Sequence, residues 1–332
     1  MPGYQRILFI ADPQMRQSPG FLRALELARA SGATLFLELF DYAPAVDAVG
    51  ALSAETRDLA QRAWLQDRQG WLQAQADAVK TRGVRIETLA HWAHPLHRTV
   101  LDRILDLAPD LVVKDARHET TLDRILLHPL DWHLIHGAAA TLLLVSPRAP
   151  LATRRVLAAV DPAHGWNRRG DLNARIVQAA ADLAALSGAG IEYVHAFEGV
   201  PPMVAASVEA SAGDMAAMFE SFRDSRRRQF DALADAFQAR PEQRHFVLGP
   251  APQALAELGG TGDVIALGAV HHSLLGRIAI GSVAEAILDQ IRCDALLVKP
   301  EGFREHALAQ RSARELPAHQ PATDKGRRLA AS

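Results

Sequence analysis

Tyr4-Gln5-Arg6-Ile7-Leu8-Phe9-Ile10-Ala11-Asp12-Pro13 returns later in the chain as Thr153-Arg154-Arg155-Val156-Leu157-Ala158-Ala159-Val160-Asp161-Pro162. Each copy passes from basic residues through an unbroken apolar run into Asp-Pro. A run without alternation is the pattern of a strand buried on both faces, as in a parallel sheet. An internal repeat of this length outranks any local motif in deciding a fold.

The match continues outward. Phe21–Ala28 and Ile176–Ala184 carry apolar groups at helical spacing, and each stretch runs into a glycine, Gly32 or Gly188, suited to a left-handed C-cap. Second apolar runs follow at Thr34–Phe40 and Ile191–Phe197. Longer helical stretches come next, over 53–80 and 209–239. Third strands are expected at Val84–Ala90 and His245–Leu248, helices at Leu96–Leu107 and Gln253–Leu258, and fourth strands at Asp110–Lys114 and Asp263–Leu267. The final strands, Ala140–Val145 and Asp294–Val298, both lead to a proline, Pro147 or Pro300. Strands alternating with helices imply a parallel sheet covered on both faces. Each half is thus expected to be a doubly wound, five-stranded α/β domain, with the boundary in Arg148–Thr153. Ligands of such sheets bind at the carboxyl ends of the strands, which places Asp12 and Asp161 at the expected crevices.

The bulk properties agree. The 332 residues suit two domains of about 150 each. With 36 basic and 38 acidic residues the net charge is −2, so no global field points to nucleic acid or an anionic membrane. One cysteine, Cys293, excludes a disulfide framework within the chain and favours a reducing, cytoplasmic compartment. The apolar run Ile7–Ala11 is too short for a signal or a membrane span. From Arg304 the composition turns to Arg, Ala, Gln, Pro and Lys; 304–332 is expected to be a disordered tail with at most a short helix near its start.

The sharpest local signal lies in the second half. The fourth strand ends at Leu267-Gly268, a loop runs over Ala269–Ile280, and Gly281-Ser282 opens the helix Val283–Leu288. Ser282 is a good N-cap and Glu285 completes a capping box. Glycine beside a helix N-terminus exposes N–H groups that attract phosphate. The same signature also occurs in helices that bind nothing.

The order of elements, the Asp after the first strand and Gly281-Ser282-Val283-Ala284-Glu285 together resemble the universal stress protein family. That family's nucleotide motif is Gly, two residues, Gly, nine residues, Gly, then Ser or Thr. Here the frame falls on Gly268, His271, Gly281 and Ser282, with histidine in place of the second glycine. The resemblance implies Asp161 near the adenine and Val194 near the base or ribose. The first half has no such glycine motif. Its Lys114-Asp115 after the fourth strand and its Pro129-Leu130-Asp131-Trp132-His133 resemble the tandem-domain E type of the family.

The resemblance covers about 1–303. It implies two Rossmann-like domains of the flavodoxin-like, adenine nucleotide alpha hydrolase-like class, 1–148 with a degenerate motif and 153–303 with a near-intact one, packed as a pseudo-dimer through their last strands. It further implies a cytoplasmic stress-response protein, not an enzyme, that senses an adenine nucleotide, ATP with Mg²⁺, through its second half. Homodimers are among its expected partners; nucleic acid and membranes are not.

Two other functional classes bear on the sequence. The 14 histidines include the clusters His91, His94, His97 and His118, His128, His133, His136, but no HExxH or CxxC frame accompanies them, so no metal site is expected. A hydrolase would need a nucleophile elbow or a Walker lysine, and neither is present; weak ATP hydrolysis is the remaining enzymatic alternative. Cys293 has no activating neighbour in sequence and reads as a small buried residue. Trp64, Trp71 and Leu72, at helical spacing, read as core or as the wall of an apolar groove in a non-nucleotide interaction protein.

Overall fold

A computed structural model of the chain describes residues 3–49, 53–80, 83–116, 129–148, 150–162, 172–199, 212–269, 271–272, 278–279 and 293–315. The first half contains β1 (Arg6–Ala11), α1 (Pro19–Ser31), β2 (Thr34–Asp41), α2 (Pro44–Val49), α3 (Ala54–Ala78), β3 (Ile86–Trp92), α4 (Leu96–Leu107), β4 (Leu111–Asp115), α5 (Pro129–Gly137) and β5 (Thr141–Val145). The second contains β6 (Arg155–Ala159), α6 (Leu172–Ser187), β7 (Gly190–Phe197), α7 (Ala212–Ala236), β8 (Arg244–Leu248), α8 (Ala251–Leu258), β9 (Asp263–Gly268), β10 (His271–His272), β11 (Ile278–Ala279), β12 (Asp294–Val298) and α9 (Phe303–Glu315).

Local chemistry sets the helix ends. The Ser18 hydroxyl accepts the Phe21 N–H to open α1, Pro19 follows as its first residue, and Gly32 closes it at φ 75°, its N–H donating to the Ala28 carbonyl. Ser53 caps α3 in the same manner, accepting the Thr56 N–H at 3.0 Å. Gly188 after α6 also takes a positive φ of 65°.

All strands but β10 and β11 join one ten-stranded sheet in the order β3-β2-β1-β4-β5-β12-β9-β6-β7-β8. In this sheet the described pairings within each half are parallel and the order is the Rossmann one, 3-2-1-4-5. The halves meet where β5 and β12 pair antiparallel, Leu142 with Leu297, Leu143 with Leu296 and Leu144 with Ala295. Leu143 and Leu296 hold equivalent places in their halves, so a local pseudo-two-fold axis passes through that pair. Side chains alternate between two cores. Ile7 and Phe9 face the core covered by α1, α3, α6 and α7; Leu8 and Ile10 face the one covered by α4, α5 and α8.

The structure departs from the sequence expectations in three places. The expected loop Ala269–Ile280 is interrupted by an antiparallel pairing of His271 with Ala279 and His272 with Ile278. The third strand of the first half lies two residues later than expected, because it pairs along β2 as far as Asp41–Trp92. The expected tail begins as a 13-residue helix, α9, rather than a short one. Arg304 of α9 donates to the Leu105 carbonyl (3.2 Å) and Arg311 pairs with Asp106 (2.7 Å), so α9 crosses to α4 of the other half. Residues 316–332 lie outside the described residues. Among the described residues no helix is long and apolar enough to cross a membrane.

Candidate functional site

The carboxyl ends of the strands flanking the reversal of strand order frame a crevice. In the second half these strands are β6 and β9. Beyond β6, the Val160 N–H donates to the Val194 carbonyl (2.9 Å), and Asp161 follows. One side chain holds both backbone groups of Asp161: its N–H donates to Asn173 Oδ1 (3.0 Å) and its carbonyl accepts from Asn173 Nδ2 (2.9 Å). Asn173 is buried in the first turn of α6. His195 Nδ1 lies 3.0 Å from the Val160 carbonyl. A carbonyl only accepts, so Nδ1 carries the proton. Burial lowers the pKa of His195, outweighing the Val160 carbonyl and Asp161, which act the other way. Its Nε2 is buried without a hydrogen-bond partner among the described residues.

The other expected site residues are distributed unevenly. Val194 is 1% exposed, so its side chain is sealed in the core. A Cβ on Gly268 would stand 2.7 Å from Leu172 Cδ2. The close approach of α6 to β9 therefore requires a glycine there, apart from any ligand. His271 is described only as backbone in β10. Gly281, Ser282 and the helix they were expected to open lie outside the described residues.

The first half shows the same positions with different chemistry. Ile7 pairs with Leu111 as Val156 pairs with Val264, which makes Asp115 the counterpart of Gly268. The next residues agree: Ala116 N–H donates to the Val145 carbonyl (2.8 Å) as Ala269 N–H does to Val298 (3.0 Å). The Asp115 carboxylate accepts the Gly20 N–H (2.8 Å) in the first turn of α1. A Cβ on Gly20 would lie 2.8–2.9 Å from that carboxylate. Burial raises the pKa of Asp115 against the opposing effects of Ser18, Gly20 and Lys114. Lys114, itself buried, pairs with Asp131 at 2.6 Å. The counterpart of Val194 is Glu38, 1% exposed, which accepts from Arg103 and lies 2.7 Å from His91 Nε2.

Against known proteins, the model of the universal stress protein family matches residues 3–146 and again 152–299. The chain belongs to the universal stress protein family. Universal stress protein E of Escherichia coli K12 is 24% identical over 309 residues, spanning 92% of this chain and 96% of that protein. Universal stress protein E of Photorhabdus laumondii is 23% identical over 311 residues, 91% of this chain and 97% of that one. A crystal structure of a functionally unknown protein from Pseudomonas aeruginosa PAO1 superposes with a TM-score of 0.69 at 22% identity, covering 94% of this chain and 98% of that one. One of a universal stress protein from Archaeoglobus fulgidus does so at 0.57 and 13% identity, covering 90% and 98%. These superpositions extend the likeness to the tandem fold.

Several other candidate residues of this universal stress protein pack against aromatic rings. His94 stacks on Tyr42 (4.1 Å between centroids), His97 on His133 (3.9 Å) and His136 on Trp132 (3.8 Å). No three metal-ligating side chains converge among the described residues, and His118 and His128 lie outside them. Cys293 is 3% exposed and burial pushes its thiol up to about 12, as a packing residue requires. Leu72 is fully buried and Trp71 packs on the core, whereas the Trp64 indole donates to Asp41 (3.0 Å) beneath the Arg68 guanidinium.

No motif marks Asn173 or His195 in the sequence. The repeat aligns Asp12 with Asp161 but offers no like residue for either: Leu39 stands where His195 does. Their only sequence signal is polarity inside apolar segments: Asn173 opens an otherwise apolar helix face, and His195 interrupts Tyr193–Phe197.

Proposed function

We propose that this universal stress protein is a cytoplasmic stress-response regulator that senses an adenine nucleotide, ATP with Mg²⁺, through its second half. The first half is the closed copy. The observation that carries this reading is the exchange at the end of the fourth strand of each half. Asp115 fixes a carboxylate against the N-terminal turn of α1, where a phosphate would meet like charge; the second half has Gly268 there. Asp161 stands at the same crevice on a backbone held from two sides. His271, Gly281 and Ser282 complete the expected phosphate-side contacts, and the role is binding rather than turnover. Calorimetric titration of the metal-stripped protein with ATP and Mg²⁺ tests it. Saturation near one site per chain, lost in Gly281→Trp with the fold intact, is expected; no heat up to millimolar ATP sinks the reading.

A second reading, a small-ligand protein, is favoured by one feature of the first half. A cavity of about 320 Å³ opens beside the first turn of α1, lined by Ser18, Phe21, Leu22, Val145, Pro150 and Leu151 among others. Its lining is mostly apolar, at the small end of ligand-pocket volumes. Fluorescence of an anilinonaphthalene sulfonate should rise on binding and be blocked by Leu22→Glu. An equal rise in the variant would remove this reading.

A further inference from the structure

We propose that Asn173 and His195 are positioning residues that aim the Asp161 carboxylate into the second-half crevice. This inference rests on the nucleotide reading above and adds to it how the Asp161 turn is held.

The two halves solve the same problem differently. After β1 the turn is closed by its own aspartate: the Gln14 N–H donates to Asp12 Oδ1 (2.9 Å) and the Met15 N–H to the Asp12 carbonyl (2.8 Å). The Asp12 carboxylate is thereby committed to its own backbone, as in an Asx-turn. After β6 the turn is held from outside. Asn173 takes both the N–H and the carbonyl of Asp161, and His195 Nδ1–H takes the Val160 carbonyl. With the Val160 N–H bonded to Val194, all four backbone polar groups of Val160 and Asp161 are engaged. Among the described residues the first half shows no such clamp. By register the counterpart of His195 is Leu39, a fully buried apolar residue.

Both clamping side chains are themselves fixed. Asn173 is 6% exposed at the start of a 16-residue helix, and His195 is 6% exposed between Phe230 and Phe246. A planar amide that makes two bonds to one residue sets the orientation of that residue's backbone and hence of its Cα–Cβ bond. Buried polar groups cost stability unless they are paired, and His195 leaves Nε2 unpaired among the described residues, so packing alone gives no reason to prefer it over leucine.

The test is a double-mutant cycle read by ATP–Mg²⁺ titration of the full chain. Asn173→Ala should weaken ATP about tenfold, the effect of one well-placed hydrogen-bonded contact, and His195→Leu should act in the same direction. In an Asp161→Ala background neither substitution should cost further affinity, because their effect passes through that carboxylate. Equal losses with and without Asp161, unchanged affinity in Asn173→Ala, or unchanged affinity in Asp161→Ala would each overturn the proposal. If the wild-type chain binds no ATP, the nucleotide reading fails first. Amide exchange at Asp161 then decides the clamp alone: faster exchange in Asn173→Ala upholds it, and unchanged exchange overturns it.

Discussion

Gly20 against Asp115 in the first half and Leu172 against Gly268 in the second are two fillings of the same notch between the first helix and the end of the fourth strand. In one half the helix is small and the strand residue large and charged; in the other the sizes are exchanged. The sheet order and the register are the same in both. The backbone of a doubly wound domain therefore survives an exchange that removes a carboxylate from its crevice. Fold is shared between the halves and the side chains at the strand ends are not, so function resides in those residues rather than in the fold.

The seam between the halves carries the same lesson in stronger form. Arg23 of α1 pairs with Asp294 of β12 at 3.3 Å, both side chains buried, and donates to Thr153 and to the Pro150 carbonyl (2.8 Å). Asp294 also accepts the Ser146 N–H at 2.9 Å. Its counterpart in the first half is Thr141, which the register of β4 with β5 and β9 with β12 identifies. Burial pushes the pKa of Asp294 up to about 6 in spite of Arg23, so the pair is costly to keep charged. Making the halves alike with Asp294→Thr should strand the Arg23 guanidinium and cost about 3–5 kcal/mol, measured by urea unfolding. The double variant Arg23→Met, Asp294→Leu should recover most of that loss. If Asp294→Thr alone is neutral, the ion pair does not hold the seam.

Gly268→Asp carries the first half's charge into the second. The new Cβ meets Leu172, and overpacking of this kind costs about 1–3 kcal/mol. ATP affinity should fall with it. Adding Leu172→Gly, which copies the Gly20 arrangement, should relieve the collision without restoring ATP. Restored ATP binding in that double variant would show that the carboxylate does not close a crevice.

A pH effect separates the two ends of the seam. Lys299, 4% exposed, donates to the Ile135 carbonyl in the last turn of α5; its counterpart is Ser146. Burial lowers its pKa from 10.5 to about 7. Between those values the unfolded chain holds the proton and the folded chain does not, so stability rises with pH across that window. The rise should be about 1 kcal/mol from pH 7 to pH 8. Lys299→Met should abolish it, as read from chemical unfolding at the two values. An identical rise in the variant would place its origin elsewhere.

Most of the architecture was legible because it is written in long signals. Ile7–Ala11 and Val156–Val160 read as buried strands from apolarity alone, and Gly32 and Gly188 marked helix ends that the φ angles bear out. The site was less legible because its parts are set by contacts between distant residues. Gly268 reads as a ligand-facing glycine until Leu172 is seen against it. Asn173 has no motif around it, since its partner Asp161 lies 12 positions earlier across a segment with no counterpart spacing in the first half. The α9 helix was underestimated for the same reason: its composition is that of a tail, and its partners Leu105 and Asp106 are about 200 positions away.

The outer edges of the sheet make the last comparison, with the smallest expected effect. At one edge β3 is closed by a single amide: Gln69 Oε1 accepts the Ala90 N–H (2.9 Å), while its Nε2 donates to the Thr88 hydroxyl (2.8 Å) and carbonyl (3.2 Å). The Gln69 side chain stands in for a neighbouring strand. At the other edge β8 ends in Leu248, 57% exposed. Open edges recruit other strands, and natural sheets blunt them. Gln69→Ala returns the Ala90 N–H and the Thr88 carbonyl to water, so the loss should be only about 0.5–1 kcal/mol. Its larger signature is association: β3 then becomes an open edge, and light scattering should show more self-association than in the wild type at equal concentration. If scattering is unchanged, twist or α3 protects that edge, and the Gln69 amide contributes stability alone.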